Sequence, residues 1–359
     1  MITIESVKPG ISWQMVVSFI VASLVFTFWL FLLYADIFLI LQYLNIFAII
    51  GSVICTMLLV TLRPRISKPP QKYMSKSDAP ILFSIIEDIC SELSASTIDY
   101  VILNHEHNAS MGYRGIAQKR VLTLGYPLLL VLDSQETVEL ISHELAHNIN
   151  RDPMRGYIQW YAASSLERWY YITYPDEIIT TNAGIYALIF SVPMNLLMWC
   201  ISQMFLGLTN LLYWLMWRDS QRAEYYADYL AMTMSGNACC ETFFRKLMYN
   251  SELQLAAQRA VLAKRYDAVF EYFIEAVNNI PETEIKRIQC VNMLYESRVD
   301  SSHPPTPYRI GFAKSKGIIP PKYHLKDYKH QQLLEELKKF EKEISLKLAD
   351  EFRNSVYRR

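Results

Sequence analysis

The sequence shows no excess of charge of either sign. Its 359 residues include 35 lysine and arginine residues, which are balanced by 35 aspartate and glutamate residues. Non-specific attraction to nucleic acid depends on a positive field around the protein. The balance therefore argues against a nucleic-acid partner, and it offers no bulk charge that would attract an acidic protein.

Cysteine pairs at metal-binding or redox spacing are absent as well. None of the six cysteines stands in a C-x-x-C motif, and Cys55 and Cys200 lie within uncharged apolar runs. Disulfide frameworks and cysteine zinc sites both depend on paired cysteines at short spacing. The pattern argues against both kinds of site and fits a reducing compartment.

Charge is missing from two long N-terminal stretches, residues 9–35 and 37–62, which are separated only by Asp36. Each exceeds the roughly 20 apolar residues that cross a bilayer. Lys8 is the only basic residue before the first stretch, which is also too long for the apolar region of a cleavable signal. We predict a two-span transmembrane hairpin with a tight turn near Asp36. A helical hairpin buried in a soluble core is the less favoured alternative.

Basic residues at the ends of these stretches predict the orientation. Arg63, Arg65, Lys68 and Lys72 follow the second stretch, whereas the predicted turn contains no basic residue. Cytoplasmic ends of membrane spans carry an excess of lysine and arginine. The prediction is a multi-pass protein of the cell membrane, embedded in the lipid bilayer, whose chain after Leu62 lies on the cytoplasmic side.

A metal-binding motif stands at His143-Glu144-Leu145-Ala146-His147, within a segment that has helical periodicity. Residues four apart lie on one face of a helix, so both histidines can reach one metal ion. Neutral imidazole is a common Zn²⁺ ligand, and Glu144 would lie beside the metal as a general base. A buried helix with two hydrogen-bonded histidines is the alternative.

Two carboxylates farther along the chain complete this site in the prediction. Glu224 and Asp228 are four residues apart and share a helix face. With Glu224 as third ligand the set is His₂Glu with an open fourth position, an arrangement typical of catalytic zinc. Asp228 would then accept the free N–H of a ligand histidine. A solvated acidic face balanced by nearby arginines is the alternative for this pair.

A third uncharged run, residues 178–217, separates the motif from Glu224. If both parts bind one metal, they lie on the same side of the membrane, and the number of crossings between them is even. Two crossings of about 18 residues each lie just within the usual range. We predict a membrane-embedded hairpin that turns near residues 200–203, since Gly184, Pro193 and Gly207 disfavour one straight helix. A re-entrant hairpin and an apolar hairpin packed on the protein are alternatives.

Several further polar residues are candidates for substrate binding or support. Asn108 and Ala109 could begin an edge strand that holds an extended peptide, although a surface turn explains them as well. Asp152 could orient a ligand histidine or only end the helix. His303 or Arg309 could stabilise the developing oxyanion, or their Pro-rich turn could only pack a loop. For His105 and His107, solvated side chains are favoured over a second metal site.

The combined pattern resembles the HtpX-like membrane zinc endopeptidases, relatives of the CAAX prenyl proteases. The resemblance rests on His143-Glu144-x-x-His147-x-x-Asn150-x-Asp152, an apolar run, and Ser220-x-Arg222-x-Glu224-x-x-Ala227-Asp228. The segment from His303 to Ile310 resembles a late family motif, and Asn108-Ala109 resembles the start of the substrate-side edge strand. The resemblance implies a gluzincin-type domain with one Zn²⁺. It also implies ligands His143, His147 and Glu224, the base Glu144, and proteolysis at the cytoplasmic face of a bacterial membrane.

The predicted fold class is mainly α with a small β-sheet, in which transmembrane helices accompany a gluzincin-type metalloprotease domain. The segments are a two-span hairpin (9–62), the first protease part with the motif helix (63–177), a second membrane hairpin (178–217), the second protease part with the third ligand (218–325) and a charged C-terminal helix (326–359).

The predicted function is an integral membrane zinc endopeptidase that hydrolyses peptide bonds of membrane or misfolded proteins with zinc-activated water and a glutamate base. Its partners would be polypeptide substrates and the lipid bilayer, and it could form a homo-oligomer. The main alternative is a catalytically silent zinc-binding scaffold or chaperone. A transporter is disfavoured because the apolar stretches offer no ionisable residue.

Overall fold

The computed structural model of the chain describes residues 8, 10, 12–43, 45–64, 67–115, 117–150, 156–175, 185–296 and 304–357. These residues are mainly helical with one small sheet, as predicted. The helices are α1 (Trp13–Gln42), α2 (Ile46–Leu62), α3 (Pro80–Glu92), α4 (Tyr126–Val131), α5 (Ser134–Asn150), α6 (Tyr157–Thr173), α7 (Ile185–Ser235), α8 (Cys240–Leu247), α9 (Asn250–Leu262), α10 (Val269–Asn278), α11 (Glu282–Glu296), α12 (Thr306–Ser315) and α13 (Asp327–Tyr357). The strands are β1 (Tyr100–Asn104), β2 (Ala109–Arg114) and β3 (Lys119–Gly125).

The chain forms two compact units. The apolar unit comprises Gly10–Ser67 and Met154–Asp219, and the α/β unit comprises Met1–Pro9, Lys68–Pro153 and Ser220–Arg359. Helix α7 belongs to both units, since the boundary falls between Asp219 and Ser220. The sheet and the predicted site residues lie in the α/β unit.

The apolar unit has a small core around the indole of Trp169, which donates a hydrogen bond to the Leu62 carbonyl at 3.0 Å. Small residues such as Ala22 and Ala162 are fully buried there, so α1 and α6 approach each other closely. Most large apolar side chains of α1, α2 and the first part of α7 instead point outward and are exposed. Two helical stretches, Trp13–Gln42 and Ile189–Ser235, are long and apolar enough to cross a membrane.

The turn predicted near Asp36 is wrong. Helix α1 continues through Asp36 and ends at Gln42, and the link to α2 follows it. The Asp36 carboxylate is buried and accepts hydrogen bonds from Ser52 Oγ at 2.6 Å and Thr56 Oγ1 at 3.0 Å. These donors satisfy the acid inside the helix pair, so it does not break the helix. Helix α1 thus carries an ionisable residue, Asp36, between the two uncharged stretches.

The hairpin predicted for residues 178–217 is replaced by a single helix from Ile185 onward. Helix α7 passes without interruption through residues 200–203, where the turn was expected, and contains Pro193. A proline removes one helical hydrogen bond but is tolerated where the neighbouring residues keep the helix. The preceding helix, α6, lies in the same unit. Whether the chain crosses the membrane an even number of times between the two parts of the site stays a prediction.

The sheet of the α/β unit has the order β1-β3-β2. Strand β3 pairs with β1 in parallel and with β2 in antiparallel register, with Ala109 opposite Leu124. Strand β2 lies at the edge of the sheet and begins at Ala109, where the sequence allowed an edge strand. Apolar side chains of β3, α3 and α5 form a large core beside the sheet, including Leu82, Leu122 and Ile141.

Gly125 lies where two backbone segments approach most closely. Its N–H donates to the Asn108 carbonyl at 2.8 Å, and a Cβ added there would lie 1.8 Å from the Glu106 carbonyl oxygen. Both contacts are backbone atoms, so they cannot rotate away as a side chain would. Gly125 therefore holds the loop before β2 against the end of β3.

We predict that Gly125→Ala destabilises the α/β unit by about 1–3 kcal/mol or more, because the loop or the strand must shift. Thermal unfolding of the purified protein measures this loss. Gly112→Ala is the matched control, since a Cβ on Gly112 meets no atom within 4 Å. Equal unfolding temperatures for the two variants would contradict the role of Gly125.

Candidate metal centre

The motif helix begins with a reciprocal capping arrangement. The Glu136 N–H donates to Asp133 Oδ1 at 2.8 Å, and the Asp133 N–H donates to Glu136 Oε2 at 2.8 Å. This reciprocal pair is a capping box, and it fixes where α5 starts. Glu136 is also held by Lys246 Nζ at 2.5 Å, which ties α5 to α8. The rotation of α5 about its axis, and so the direction of its histidines, is thereby set.

Helices α5 and α7 bring three metal-binding side chains together. The Nε2 atoms of His143 and His147 lie 3.2 Å apart. Glu224 places Oε2 3.6 Å from His143 Nε2 and Oε1 3.5 Å from His147 Nε2. The three residues form the one cluster of its kind found among the described residues, with ligand atoms within 4.8 Å of one another.

These distances fit a single tetrahedral metal ion. Ligand atoms at 2.0–2.1 Å from a common zinc ion lie about 3.3 Å apart at tetrahedral angles. The observed spacings of 3.2, 3.5 and 3.6 Å are close to this value. Two imidazole nitrogens and one carboxylate oxygen are also ligands that zinc prefers. The residues present therefore fit the predicted metal.

Asp228 lies one helical turn after Glu224 and approaches the other ring nitrogen of His143. The distance from His143 Nδ1 to Asp228 Oδ1 is 3.0 Å. Burial by itself lowers the pKa of His143, but Asp228 and Glu224 raise it to about 10. The surroundings of this imidazole thus favour a positive charge. Asp228 is at the position where a supporting carboxylate would fix Nε2 toward a metal.

Arg309 anchors this carboxylate from α12. Its Nε and Nη2 atoms contact Asp228 at 2.9 and 2.5 Å, and its guanidinium lies over the Phe244 ring at 4.5 Å. Burial raises the pKa of Asp228, but the charge of Arg309 outweighs burial and holds that pKa below its ordinary value. Asp228 is therefore ionised although it is almost completely buried.

A further buried acid, Glu139, lies beside Asp228 and was not predicted from the sequence. Glu139 is fully buried on α5, one turn before His143, and accepts hydrogen bonds from Ser235 Oγ and, at 3.7 Å, from Cys240 Sγ. Burial raises the pKa of Glu139 to about 7, with a smaller contribution from Asp228. The four-residue spacing of positions 139, 143 and 147 was a signal that could have revealed it.

A cleft of about 310 Å³ opens beside His143, one of the three candidate ligands. Glu144 lines it and is buried, next to the first histidine of the motif. Asn108 and Ala109 line the opposite wall, where edge strand β2 begins. Sequence analysis did not single out the other lining residues, which come from α5, the α8–α9 region and the start of α12: Leu140, Phe243, Leu247, Met248, Asn250, Pro304 and Thr306.

The remaining predicted residues have different outcomes. Asp152 and His303 lie outside the described residues. Arg309 lines the cleft, but its guanidinium is engaged by Asp228, so a direct role toward substrate stays a prediction.

The expectation of solvated side chains is wrong for His107, which is buried with Nε2 donating to the Lys246 carbonyl at 2.7 Å. His105 is largely covered and contacts Glu351 at 2.7 Å.

Comparison with known proteins identifies relatives. The sequence pattern of peptidase family M48 matches residues 77–316, which include all three ligands and Glu144. A protein named Protease HtpX homolog from Pyrobaculum calidifontis is 24% identical over 239 residues, which cover 65% of this chain and 67% of that relative. No solved structure gives a significant match.

We predict that Arg309→Met destabilises the protein by about 3–5 kcal/mol, because it leaves the Asp228 carboxylate buried without its cation. Thermal unfolding monitored by circular dichroism measures the effect. The control is Arg287→Met, which removes an exposed partner of Glu284 and is expected to leave the unfolding temperature unchanged. A small effect at Arg309, equal to that of the control, would show that Asp228 does not depend on the arginine.

Proposed function

This chain belongs to peptidase family M48, and on that premise we propose that it is an integral membrane zinc endopeptidase acting on membrane or misfolded proteins. Family membership makes it a metallopeptidase. The observation that carries the finer proposal is the convergence of His143, His147 and Glu224 beside a cleft that Glu144 lines. A His₂Glu ligand set leaves a coordination position open, as hydrolysis requires.

Zinc held by these three residues would supply a Lewis acid that polarises the peptide carbonyl and lowers the pKa of water toward ~7. Glu144 then takes the proton of the attacking water and passes it to the leaving amine. Asp228 holds the His143 ring by its Nδ1 atom, and Arg309 keeps Asp228 ionised and in place. Each of these steps uses a side chain that is already positioned in the cleft or directly behind it.

Edge strand β2 supports binding of an extended polypeptide. Only one side of β2 pairs within the sheet, since the strand order is β1-β3-β2. The unpaired edge of such a strand can take up a substrate strand by main-chain hydrogen bonds, which are independent of side-chain identity. Ala109, at the start of β2, lines the same cleft as Glu144. A peptide bound along β2 would therefore pass the proposed general base.

The apolar unit supports a membrane location. Helices α1, α2 and α7 expose large apolar side chains such as Phe47, Phe190 and Leu41, which in a protein surrounded by water would form an unusually large apolar surface. We propose that α1, α2, α6 and the apolar part of α7 lie in the bilayer. The basic residues that follow α2 support a cytoplasmic location of the α/β unit.

We predict that Glu144→Gln abolishes cleavage of an unfolded protein, such as labelled casein, while one zinc ion per chain stays bound. The amide keeps the shape of the side chain but cannot take the proton from water. Fluorescence release measures cleavage, and elemental analysis measures the metal. Glu92→Gln, at an exposed position of α3, is the control and should retain full activity. Unchanged cleavage by Glu144→Gln would refute its role as the base.

We predict that Glu224→Ala lowers the zinc content to well below one ion per chain, because two histidines alone bind zinc weakly. Elemental analysis after dialysis against a weak chelator measures the loss. Wild-type protein that retains zinc but cleaves no unfolded substrate would instead support the zinc-binding scaffold or chaperone.

A further inference from the structure

A second cavity of about 690 Å³ adjoins the cleft of the metal centre. His107, Asn108, Leu247 and Asn250 line both spaces, so the two share a wall. Glu351 and Phe352 of α13 close the far side of the second cavity. Helix α13 lies beyond residue 316, where the match to the family ends.

The second cavity has an acidic lining. Glu106 and Glu351 line it, and no lysine or arginine is among the lining residues in the described part of the chain. His105 Nε2 contacts Glu351 Oε2 at 2.7 Å, and Lys347 approaches Oε1 at 3.9 Å from the exposed face of α13. Both Glu106 and Glu351 remain exposed to the solvent that fills the cavity. A cation in the cavity would be attracted by two carboxylates.

His107 provides an acceptor where the two spaces meet. Its ring is 7% exposed, and Nε2 donates its proton to the Lys246 carbonyl at 2.7 Å. Burial lowers the pKa of His107 to about 4, so the ring is neutral near pH 7 and Nδ1 carries no proton. Among the described residues, Nδ1 has no hydrogen-bond partner. A buried acceptor without a partner is costly, and an N–H donor on a bound ligand would satisfy it.

We propose that this cavity is a substrate subsite that takes a lysine or arginine side chain located within a few residues of the scissile bond. Glu106 and Glu351 supply the opposite charge, and His107 Nδ1 accepts an N–H of the bound polypeptide. The proposal rests on the proposed endopeptidase function, since it requires one extended polypeptide to occupy the cleft and the adjoining subsite together. It assigns to α13 a role in substrate selection.

The test uses full-length protein in detergent and a set of quenched fluorescent peptides. In this set one lysine is moved through the four positions on each side of a single cleavable bond, and matched peptides carry glutamine or glutamate there. Cleavage is measured with the wild type. Binding is measured by fluorescence anisotropy with the Glu144→Gln variant, so that affinity is read without turnover.

We expect lysine at one or two positions to raise kcat/KM and affinity about tenfold over glutamine, and glutamate to lower both. Tenfold corresponds to about 1.4 kcal/mol. The preference should weaken as ionic strength rises, since both carboxylates are exposed to solvent. The double variant Glu106→Gln/Glu351→Gln should lose it, so that the lysine and glutamine peptides are cleaved with equal kcat/KM. The control, Glu92→Gln/Glu335→Gln, removes the same charge elsewhere and should keep the preference.

The outcomes separate the subsite from the function. Equal cleavage and binding of the lysine and glutamine peptides at every position would overturn the subsite and leave the endopeptidase intact. A lysine preference that persists in the double variant would also overturn it. Tighter binding of a lysine peptide without cleavage of any peptide by the zinc-loaded wild type would support the subsite and refute the endopeptidase.

Discussion

Buried negative charge at the meeting of α5 and α7 is the constraint on which the α/β unit depends. Glu224 and Asp228 are both nearly inaccessible to solvent, and Arg309 approaches both of them, at 3.9 and 2.5 Å. Burial lowers the pKa of His143, but these two carboxylates raise it to about 10, so they favour a positive charge between the two helices. Uncompensated buried charge is strongly destabilising. A divalent cation held by the two histidines and Glu224 would supply positive charge at this place, so the proposed metal would stabilise the fold as well as serve the reaction.

Much of the site could be predicted from the sequence because its signals are local. The four-residue spacings of His143 with His147 and of Glu224 with Asp228 each define one helix face, whatever the rest of the chain does. The capping box at Asp133 and Glu136 likewise lies within four residues. Patterns of this length give the type of element and the direction of its side chains.

Contacts between distant segments could not be predicted in the same way. The pairing of Asp228 with Arg309 joins residues 81 positions apart, and both had plausible alternatives in the sequence. Asp36 was interpreted as a turn because a charge interrupts an apolar run, whereas its partners Ser52 and Thr56 lie on the next helix. His107 was expected in solvent. It is instead buried against the Lys246 carbonyl and the Phe273 ring, which both lie far along the chain. In each case a partner far along the chain reverses the local preference.

Helix α13 lies beyond the residues that match the family, yet it packs into the main core of the α/β unit. Leu333 and Leu337 are completely buried in the main core. The Glu336 carboxylate accepts the Ile81 and Leu82 N–H groups at 2.9 and 3.0 Å, so it caps the N-terminus of α3, which begins at Pro80 and lacks a cap from its own N-cap side chain.

The Tyr126 hydroxyl adds a further link from α4 to the same helix, since it donates to Glu341 at 2.7 Å. These attachments all lie in the first half of α13, whereas Glu351 and Phe352, which line the second cavity, lie in the last two turns. The anchored half holds the helix in place, and Leu348 and Ala349 of the far half also belong to the core, whereas Glu351 is exposed and can change without disturbing it. Such an arrangement would allow substrate preference to vary through Glu351 while the residues proposed for catalysis stay constant.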